Sequence, residues 1–218
     1  MTQNLVVFDL DYTLIEADCE LLWCDYLHDL GIVDEHYMHK IHRFDLDYIE
    51  GHLDYHEFDR ALLAPLQPFT AAKASQLRQE YLPLLQPRIR PWMMEVVEQH
   101  RSAGRRVVLA TASNSFLAIA IAEMLGFTDL ICTRVDEKGE IDGEAAFREG
   151  KVRKLQNFVD RDEINFAESW AYSDSHNDIP LLDLVGHPVA VTPDPVLRVH
   201  ATRCGWDILR HPNGHSKS

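Results

Sequence analysis

Short apolar runs alternate with helical patterns over most of the chain. Five runs have the length and composition of buried strands: residues 4–8, 106–110, 130–132, 169–172 and 188–191. Apolar positions with helical spacing lie between and after the later runs, over residues 92–103, 116–125, 151–159, 179–184 and 196–202. Strands that alternate with helices of this length predict an α/β fold with a doubly wound parallel sheet.

The segment between the first and second strands breaks this alternation. Residues 15–86 contain no convincing strand run and predict several helices. A helical insertion directly after the first strand is typical of a cap over the carboxyl edge of a sheet. We therefore expect a core domain of residues 1–14 and 88–218 and a helical cap domain of residues 15–87.

Composition and charge narrow the class of protein. Of the 218 residues, 46% are hydrophobic and 26% charged, which favours a folded globular protein over a disordered or fibrous one. The chain carries 21 Lys and Arg against 35 Asp and Glu, a formal net charge of -14. Because nucleic-acid affinity depends on basic side chains that neutralise phosphates, we expect no nucleic-acid partner. A local site can still bind a small phosphate ester.

The cysteines and the N-terminus favour a reduced protein of the cytoplasm. Cys19, Cys24, Cys132 and Cys204 form no CxxC pair, and their spacing suggests neither a zinc site nor a disulfide framework. No secretory signal and no apolar stretch of roughly 18 residues, the length that spans a bilayer, is visible. We therefore expect no membrane partner, and a monomer or homodimer.

A pair of carboxylates follows the first predicted strand. Residues two apart on an extended chain point the same way, so Asp9 and Asp11 face one site. Ligands of open parallel sheets bind at the carboxyl ends of the strands, where this pair lies. A hard cation such as Mg²⁺ would relieve the repulsion between the two carboxylates. The alternative is a solvated acidic turn.

Further polar residues follow the second and fourth strands. Asp174 comes directly after residues 169–172, and in a doubly wound sheet that strand can lie beside the first, close to Asp9. An Asx turn would explain Asp174 equally simply. Thr111 and Ser113 follow the second strand, and their hydroxyls face the same edge of the sheet. A plain N-cap at Ser113 or Asn114 is the better explanation of this motif taken alone.

One lysine lies at the start of a predicted helix. Lysines there are usually solvent-exposed, but the positive charge of Lys151 opposes the helix dipole. That mild cost favours a role for Lys151 in binding a phosphate.

The order of these motifs resembles that of the haloacid dehalogenase superfamily of phosphatases. The matching residues are Asp9, Asp11, Thr13, Thr111, Lys151, Asp174 and Asp178. The helical insertion is similar to that of the phosphoserine phosphatase-like branch, which also contains some histidinol-phosphate phosphatases. The resemblance covers almost the whole chain and implies a Rossmann-like core. Thr111-Ala112-Ser113 stands where phosphoserine phosphatases typically carry Ser-Gly-Gly, which makes phosphoserine a less favoured substrate.

The resemblance implies a two-step phosphoryl transfer with Mg²⁺ as cofactor. Asp9 would attack phosphorus and form an aspartyl phosphate, and Asp11 would serve as general acid and then general base. Mg²⁺ would be held by the side chains of Asp9 and Asp174 and by the backbone carbonyl of Asp11. The remaining roles divide between phosphate binding, by Thr111, Ser113 and Lys151, and orientation of Lys151 and the metal's water shell, by Asn177 and Asp178.

The cap is expected to select the substrate, a small phosphorylated metabolite. Residues 16–60 contain 13 acidic and 3 basic residues, so an ester with an ammonium or imidazole group fits better than a polyanion. In related phosphatases an acidic residue early in the cap meets the substrate amine, and Asp18 has the matching position. A helix N-cap explains Asp18 equally well. Arg43 and Arg60 are candidates for a substrate carboxylate.

The expected activity is hydrolysis of a small phosphate monoester, with phosphoserine and histidinol phosphate as the leading candidates. Two alternatives use the same fold. A phosphotransferase or mutase would pass the phosphoryl group to a hydroxyl other than water. A non-catalytic phosphate-ligand binder would have no need of the nucleophile Asp9.

Overall fold

The computed structural model describes residues 3–50, 52–159 and 164–211, and it contains a six-stranded sheet. The strands are β1 (Leu5–Phe8), β2 (Arg106–Asn114), β3 (Asp129–Thr133), β4 (Trp170–Ser173), β5 (His187–Val191) and β6 (Asp207–Leu209). Their order across the sheet is β3-β2-β1-β4-β5-β6, and every neighbouring pair is parallel. The predicted doubly wound parallel α/β fold is therefore confirmed.

Helices form the insertion after β1 and connect the strands that follow. The insertion contains α1 (Cys19–Asp29), α2 (Glu35–Glu50), α3 (Tyr55–Leu63) and α4 (Ala71–Leu85). The later helices are α5 (Pro91–Ser102), α6 (Ser115–Met124), α7 (Glu149–Phe158), α8 (Ile179–Leu182) and α9 (Pro195–Cys204). We propose that residues 15–87 act as a cap domain on a core of residues 1–14 and 88–218.

Strand β1 lies in the interior of the sheet, and all four of its side chains are completely buried. Val6 and Phe8 belong to a hydrophobic cluster that includes residues of the insertion and of α5 and α6. Leu5 and Val7 belong to a second cluster, formed with α7, α8 and α9. Helices on both faces explain why this strand is a continuous apolar run without alternation.

The neighbours of β1 bring distant parts of the chain to one edge of the sheet. Phe8 is in register with Leu109 of β2 on one side and with Tyr172 of β4 on the other. The backbone N–H of Asp9 donates to the carbonyl of Tyr172 over 2.9 Å. The predicted placement of the fourth strand beside the first is therefore confirmed.

Strand β2 extends well beyond its predicted end, and strand β6 was not predicted. Strand β2 continues beyond Ala110 to Asn114, with a shift of register against β3 between those two residues. Strand β6 is absent from the prediction because only Asp207–Leu209 pairs with β5, and three residues at a sheet edge show no usable period.

The segments that enter and leave the insertion lie next to each other in the structure. The backbone N–H of Glu16 donates to the carbonyl of Arg88 over 2.7 Å, and that of Arg90 donates to the carbonyl of Leu14 over 2.9 Å. The entry and exit segments therefore run side by side as a short backbone ladder.

All four cysteines have free thiols. Within the described ranges, no helix is both long and apolar enough to cross a membrane.

Gly186 packs against backbone at the turn before β5. A Cβ at this position would lie 1.8 Å from the carbonyl oxygen of Ala167, so Gly186→Ala requires the backbone to move. We expect the free energy of unfolding to fall by about 3 kcal/mol. Gly104→Ala is the control, because Gly104 has φ of +73° but open space around it, and we expect a loss of about 1–2 kcal/mol. Urea unfolding measures both, and equal losses would contradict the steric explanation.

Candidate active site

A cavity of about 540 Å³ lies at the carboxyl ends of β1, β2 and β4, between the sheet edge and the insertion. Its core end is lined by residues that follow β1 or β4, that lie in the last part of β2 or that begin α7: Asp9, Asp11, Thr111, Ser113, Lys151, Asp174, Asn177 and Asp178. The structure thus brings together all eight of the core residues singled out by the sequence.

Lys151 joins two carboxylates at the core end of the cavity. Its Nζ lies 3.0 Å from Oδ1 of Asp9 and 2.7 Å from Oδ1 of Asp178. Lys151 is only 3% exposed, which rules out the alternative of a solvent-exposed lysine. Burial lowers the pKa of Lys151, but the Asp178 and Asp9 carboxylates outweigh it and hold the pKa well above its usual value. The ammonium is therefore charged at neutral pH.

Burial acts on the carboxylates in the opposite direction. It raises the pKa of Asp9 to about 7, with Lys151 opposing the increase and Asp178 and Asp11 adding to it. The pKa of Asp174 lies well above its usual value, first through burial and then through repulsion from Asp9 and Asp178. A divalent cation between Asp9 and Asp174 would lower both pKa values, because it stabilises the ionised forms.

Thr13 holds the carboxylates of Asp9 and Asp174 beside each other. Its Oγ1 lies 3.1 Å from Oδ1 of Asp174 and 3.4 Å from Oδ2 of Asp9. The same Oγ1 accepts the backbone N–H of Asp174 over 3.1 Å. The threonine of the first motif therefore fixes the end of β4 against the end of β1.

The oxygen ligands that the protein offers fit Mg²⁺ when a backbone carbonyl and water molecules supply the remaining ligands. Within the described part of the chain, no three His, Cys, Asp or Glu side chains form a metal-binding group. Asp9 and Asp174 offer two carboxylates, and the predicted third protein ligand is the Asp11 carbonyl. Mg²⁺ usually keeps several waters and takes only one or two carboxylates, so such a set suits it.

The Asp11 carboxylate faces the hydroxyl groups of β2. Its Oδ2 accepts a hydrogen bond from Ser113 Oγ over 2.8 Å and lies 3.5 Å from Thr111 Oγ1. Its Oδ1 accepts the backbone N–H of Cys19 over 2.7 Å. The position of Asp11 therefore depends on the first turn of α1 in the insertion.

Thr111 and Ser113 do not cap the helix that follows them. Asn114 is the N-cap of α6, because its Oδ1 accepts the backbone N–H of Phe116 over 3.1 Å. The Thr111 hydroxyl instead donates to Ser113 Oγ over 2.9 Å. Both hydroxyls line the cavity, so the N-cap alternative is confirmed for Asn114 and is wrong for Ser113.

Asn177 and Asp178 have different surroundings. Asp178 is bound directly by Lys151 and by Ser173 Oγ, which donates to Asp178 Oδ2 over 2.8 Å. Asn177 instead accepts a hydrogen bond from Arg148 Nε over 3.0 Å. Sequence reasoning missed Arg148, whose φ of 49° is uncommon for a residue with a side chain and is the visible sign of a constrained turn before α7.

The predicted cap residues fall into two groups. Asp18 is the N-cap of α1, since its Oδ1 accepts the N–H groups of Glu20 and Leu21 over 2.8 and 2.9 Å, and it also lines the cavity. Arg43 and Arg60 are exposed and are not among the described lining residues. The structure does not bring either arginine to the cavity, because each lies on the solvent face of its helix.

Aromatic side chains form much of the other end of the cavity, and sequence reasoning missed them. They are Phe44, Tyr48, Tyr55 and Phe58 from the insertion and Phe147 from the loop before α7. Tyr55 and Tyr48 contact Phe147 with ring centroids 4.8 and 5.8 Å apart. Spacings of four residues on α2 and three on α3 put each pair on one helix face, which is the signal in the sequence.

A second buried acidic pair, Glu20 and Asp59, also escaped the sequence analysis. Glu20 is 7% exposed and Asp59 only 2%. Burial raises the pKa of Asp59 to about 7, while a hydrogen bond with Asn114 lowers it. Burial and the charges of Asp59 and Asp18 raise the pKa of Glu20 well above its usual value. Of this pair, Glu20 is among the described lining residues of the cavity and Asp59 is not.

Comparison with known proteins identifies relatives of the whole chain. A family model described as haloacid dehalogenase-like hydrolase matches residues 6–183. A histidinol-phosphatase of Neisseria meningitidis serogroup C is 33% identical over 221 residues, which cover 95% of this chain and 98% of the relative. A phosphoserine phosphatase of Mycobacterium tuberculosis is 30% identical over 216 residues, which cover 92% of this chain and 68% of the relative.

Solved structures agree with the fold. A protein with unknown function from Bordetella pertussis Tohama I has a TM-score of 0.85 at 30% identity, over 96% of this chain and 99% of that one. A substrate-bound phosphoserine phosphatase has a TM-score of 0.71 at 17% identity, over 96% of this chain and 93% of that one. The second likeness shows the fold alone. Together these matches confirm the resemblance seen in the motifs.

The Asp59 carboxyl makes stability depend on pH. Its folded-state pKa of about 7 exceeds the ordinary value of 3.8, so the stability that it contributes is present at low pH and lost as pH rises through 7. We expect Asp59→Asn to reduce the loss of unfolding free energy between about pH 5 and about pH 8.5 by about 2 kcal/mol. Urea unfolding at several pH values measures this loss. Glu57→Gln, an exposed change on the same helix, should leave it unaltered, and identical pH profiles for Asp59→Asn and wild type would contradict the assignment.

Proposed function

Because this chain belongs to the haloacid dehalogenase-like hydrolase family and is a phosphatase of that family, we propose that it hydrolyses a small, amine-bearing phosphate monoester with Mg²⁺, through an aspartyl phosphate. The observation that carries the proposal is the convergence of Asp9, Asp11 and Lys151 on one end of a single cavity. The rest of the cavity has room for a small alcohol. Its volume of about 540 Å³ is in the usual range for small-molecule sites.

Asp9 is the proposed nucleophile. An ionised carboxylate needs no activating base to attack phosphorus, and the Lys151 ammonium 3.0 Å away favours that ionised form. Lys151 and the hydroxyls of Thr111 and Ser113 would bind the phosphoryl oxygens and stabilise charge that spreads over them. Mg²⁺ on Asp9, Asp174 and the Asp11 carbonyl would supply charge neutralisation between phosphate and nucleophile.

Asp11 is the proposed acid and base. In the first step its carboxyl proton passes to the oxygen of the leaving alcohol as the ester P–O bond breaks and the Asp9–phosphorus bond forms. In the second step the Asp11 carboxylate takes a proton from the water that attacks phosphorus, which restores the Asp9 carboxylate and releases phosphate. Hydrogen bonds from Cys19 and Ser113 hold the carboxylate in place for both transfers.

Charge favours a histidinol-phosphate-like substrate over a phosphoserine-like one. Lys151 and His176 are the only described lining residues with basic side chains, and both are already paired with carboxylates. A substrate carboxylate would therefore meet no free cation in this part of the structure, whereas an ammonium or imidazolium would meet Asp18 and Glu20. The name of the Neisseria relative, a histidinol-phosphatase, supports this choice.

Loss of the nucleophile tests the mechanism. We expect Asp9→Asn to lose all but a few per cent of wild-type turnover, because the amide cannot form the aspartyl phosphate. Free phosphate released from histidinol phosphate, phosphoserine and p-nitrophenyl phosphate measures turnover. Asp183→Asn, the same change at an exposed position, should behave as wild type. Turnover by Asp9→Asn above a few per cent on any ester would sink the covalent mechanism.

Removal of the metal tests the cofactor. Activity should disappear in excess EDTA and return with Mg²⁺, since two buried carboxylates otherwise repel the phosphate. Ca²⁺ should inhibit, because it takes more ligands at longer distances and would engage both oxygens of Asp9. Asp174→Ala should raise the Mg²⁺ concentration that gives half-maximal activity. Full activity in EDTA, or an unchanged Mg²⁺ requirement in Asp174→Ala, would refute the assignment.

A further inference from the structure

We propose that Glu20 and Tyr55 form the subsite for the cationic end of the leaving alcohol, and that they determine the preference for an ammonium- or imidazole-bearing ester. This inference rests on the proposed phosphatase function. It assigns a role to two residues that lie outside the phosphate-binding motifs and line the same cavity.

Glu20 is held rigidly at the cap end of the cavity. Its Oε1 accepts two hydrogen bonds from Asn114, one from the backbone N–H over 2.9 Å and one from Nδ2 over 2.6 Å. Both bonds occupy the same carboxyl oxygen, so they do not use Oε2. Asn114 directly follows Ser113, and the carboxyl group of Glu20 is thereby fixed relative to the phosphate-binding hydroxyls. A fixed distance between the phosphate site and this carboxyl group would let the cavity select substrates by their length and charge.

Tyr55 contributes a buried hydroxyl on α3. That oxygen has no hydrogen-bond partner within the described residues, although a buried hydroxyl normally has one. Burial raises the pKa of Tyr55 well above its usual value, and the charges of Tyr48, Glu20, Asp178 and Asp59 add to the increase. A ligand N–H or ring nitrogen would supply the missing partner.

The aromatic side chains that line the same cavity suit a flat, cationic ligand. The ring of Tyr55 contacts Phe147, and Phe44 and Phe58 form an edge-to-face pair with centroids 5.6 Å apart. Aromatic faces attract cations and stack on planar groups, so an imidazolium gains from the walls as well as from the carboxyl group.

No basic side chain is among the described groups that act most strongly on Glu20. Besides Asn114, these groups are the acids Asp59, Asp18 and Asp11. Lys40 and Arg43 of α2 and Arg60 of α3 are exposed, and Arg60 lies 3.6 Å from Glu140. A cationic ligand would provide the counter-charge that the described residues lack at this end of the cavity.

The test compares a cationic ester with one that has no cation. Steady-state kcat/KM is measured with Mg²⁺ on histidinol phosphate and on p-nitrophenyl phosphate. We expect Glu20→Gln, which keeps the acceptor for Asn114, to lower kcat/KM for histidinol phosphate about 10- to 100-fold. We expect Tyr55→Phe to lower it about 3- to 10-fold. Activity of both variants on p-nitrophenyl phosphate should stay within about 3-fold of wild type, which also reports correct folding.

Asp25→Asn is the matched control, because Asp25 is an exposed acid on the same helix as Glu20 and does not line the cavity. It should leave both activities unchanged. The subsite assignment would be overturned if the two variants lowered both activities by the same factor, or if they lowered neither activity. Either result would leave the phosphatase function standing. If wild-type protein released phosphate from neither ester, the proposed function itself would fail.

Discussion

The active-site architecture depends on the buried ion pairs of Lys151 with Asp9 and Asp178. They connect the start of α7 to the end of β1 and to the turn after β4, three segments that are far apart in sequence. Loss of one partner from such a group typically costs about 3–5 kcal/mol, because an uncompensated charge stays buried. Gly150, the residue before Lys151, packs closely against the loop before α7, since a Cβ there would lie 2.3 Å from the Ala145 carbonyl oxygen.

Around that group the described lining of the cavity contains more acidic than basic side chains. Burial raises the pKa values of Asp9, Asp174 and Glu20, so these carboxyl groups hold protons more tightly than ordinary carboxyl groups do. The raised pKa values weaken the fold at high pH, and a bound cation would favour the ionised forms. In a reaction that brings together a metal ion, a phosphate and an amine, these acidic side chains can serve as partners for the metal ion and for the amine.

The insertion contacts residues of the phosphate site directly, in addition to lining the cavity above the sheet edge. The Cys19 N–H holds Asp11, and Glu20 holds Asn114, so two successive residues of α1 contact the proposed acid and base and the residue after Ser113. On the other side, Tyr55 packs against Phe147, three residues before Gly150. The position of the insertion and the geometry of the phosphate site are therefore mechanically connected.

Local pattern was enough to predict the parallel sheet, the helical insertion and the polar residues that follow each strand, because strand ends of a doubly wound sheet share one edge. The sequence could not show that Lys151 is buried or that Asn114, rather than Ser113, caps α6. It also did not indicate that Arg43 and Arg60 face away from the cavity, or that the charges of Glu20 and Asp59 interact. These outcomes depend on how helices of the insertion rotate and pack against the core. Tertiary contacts decide that rotation, and no local period specifies it.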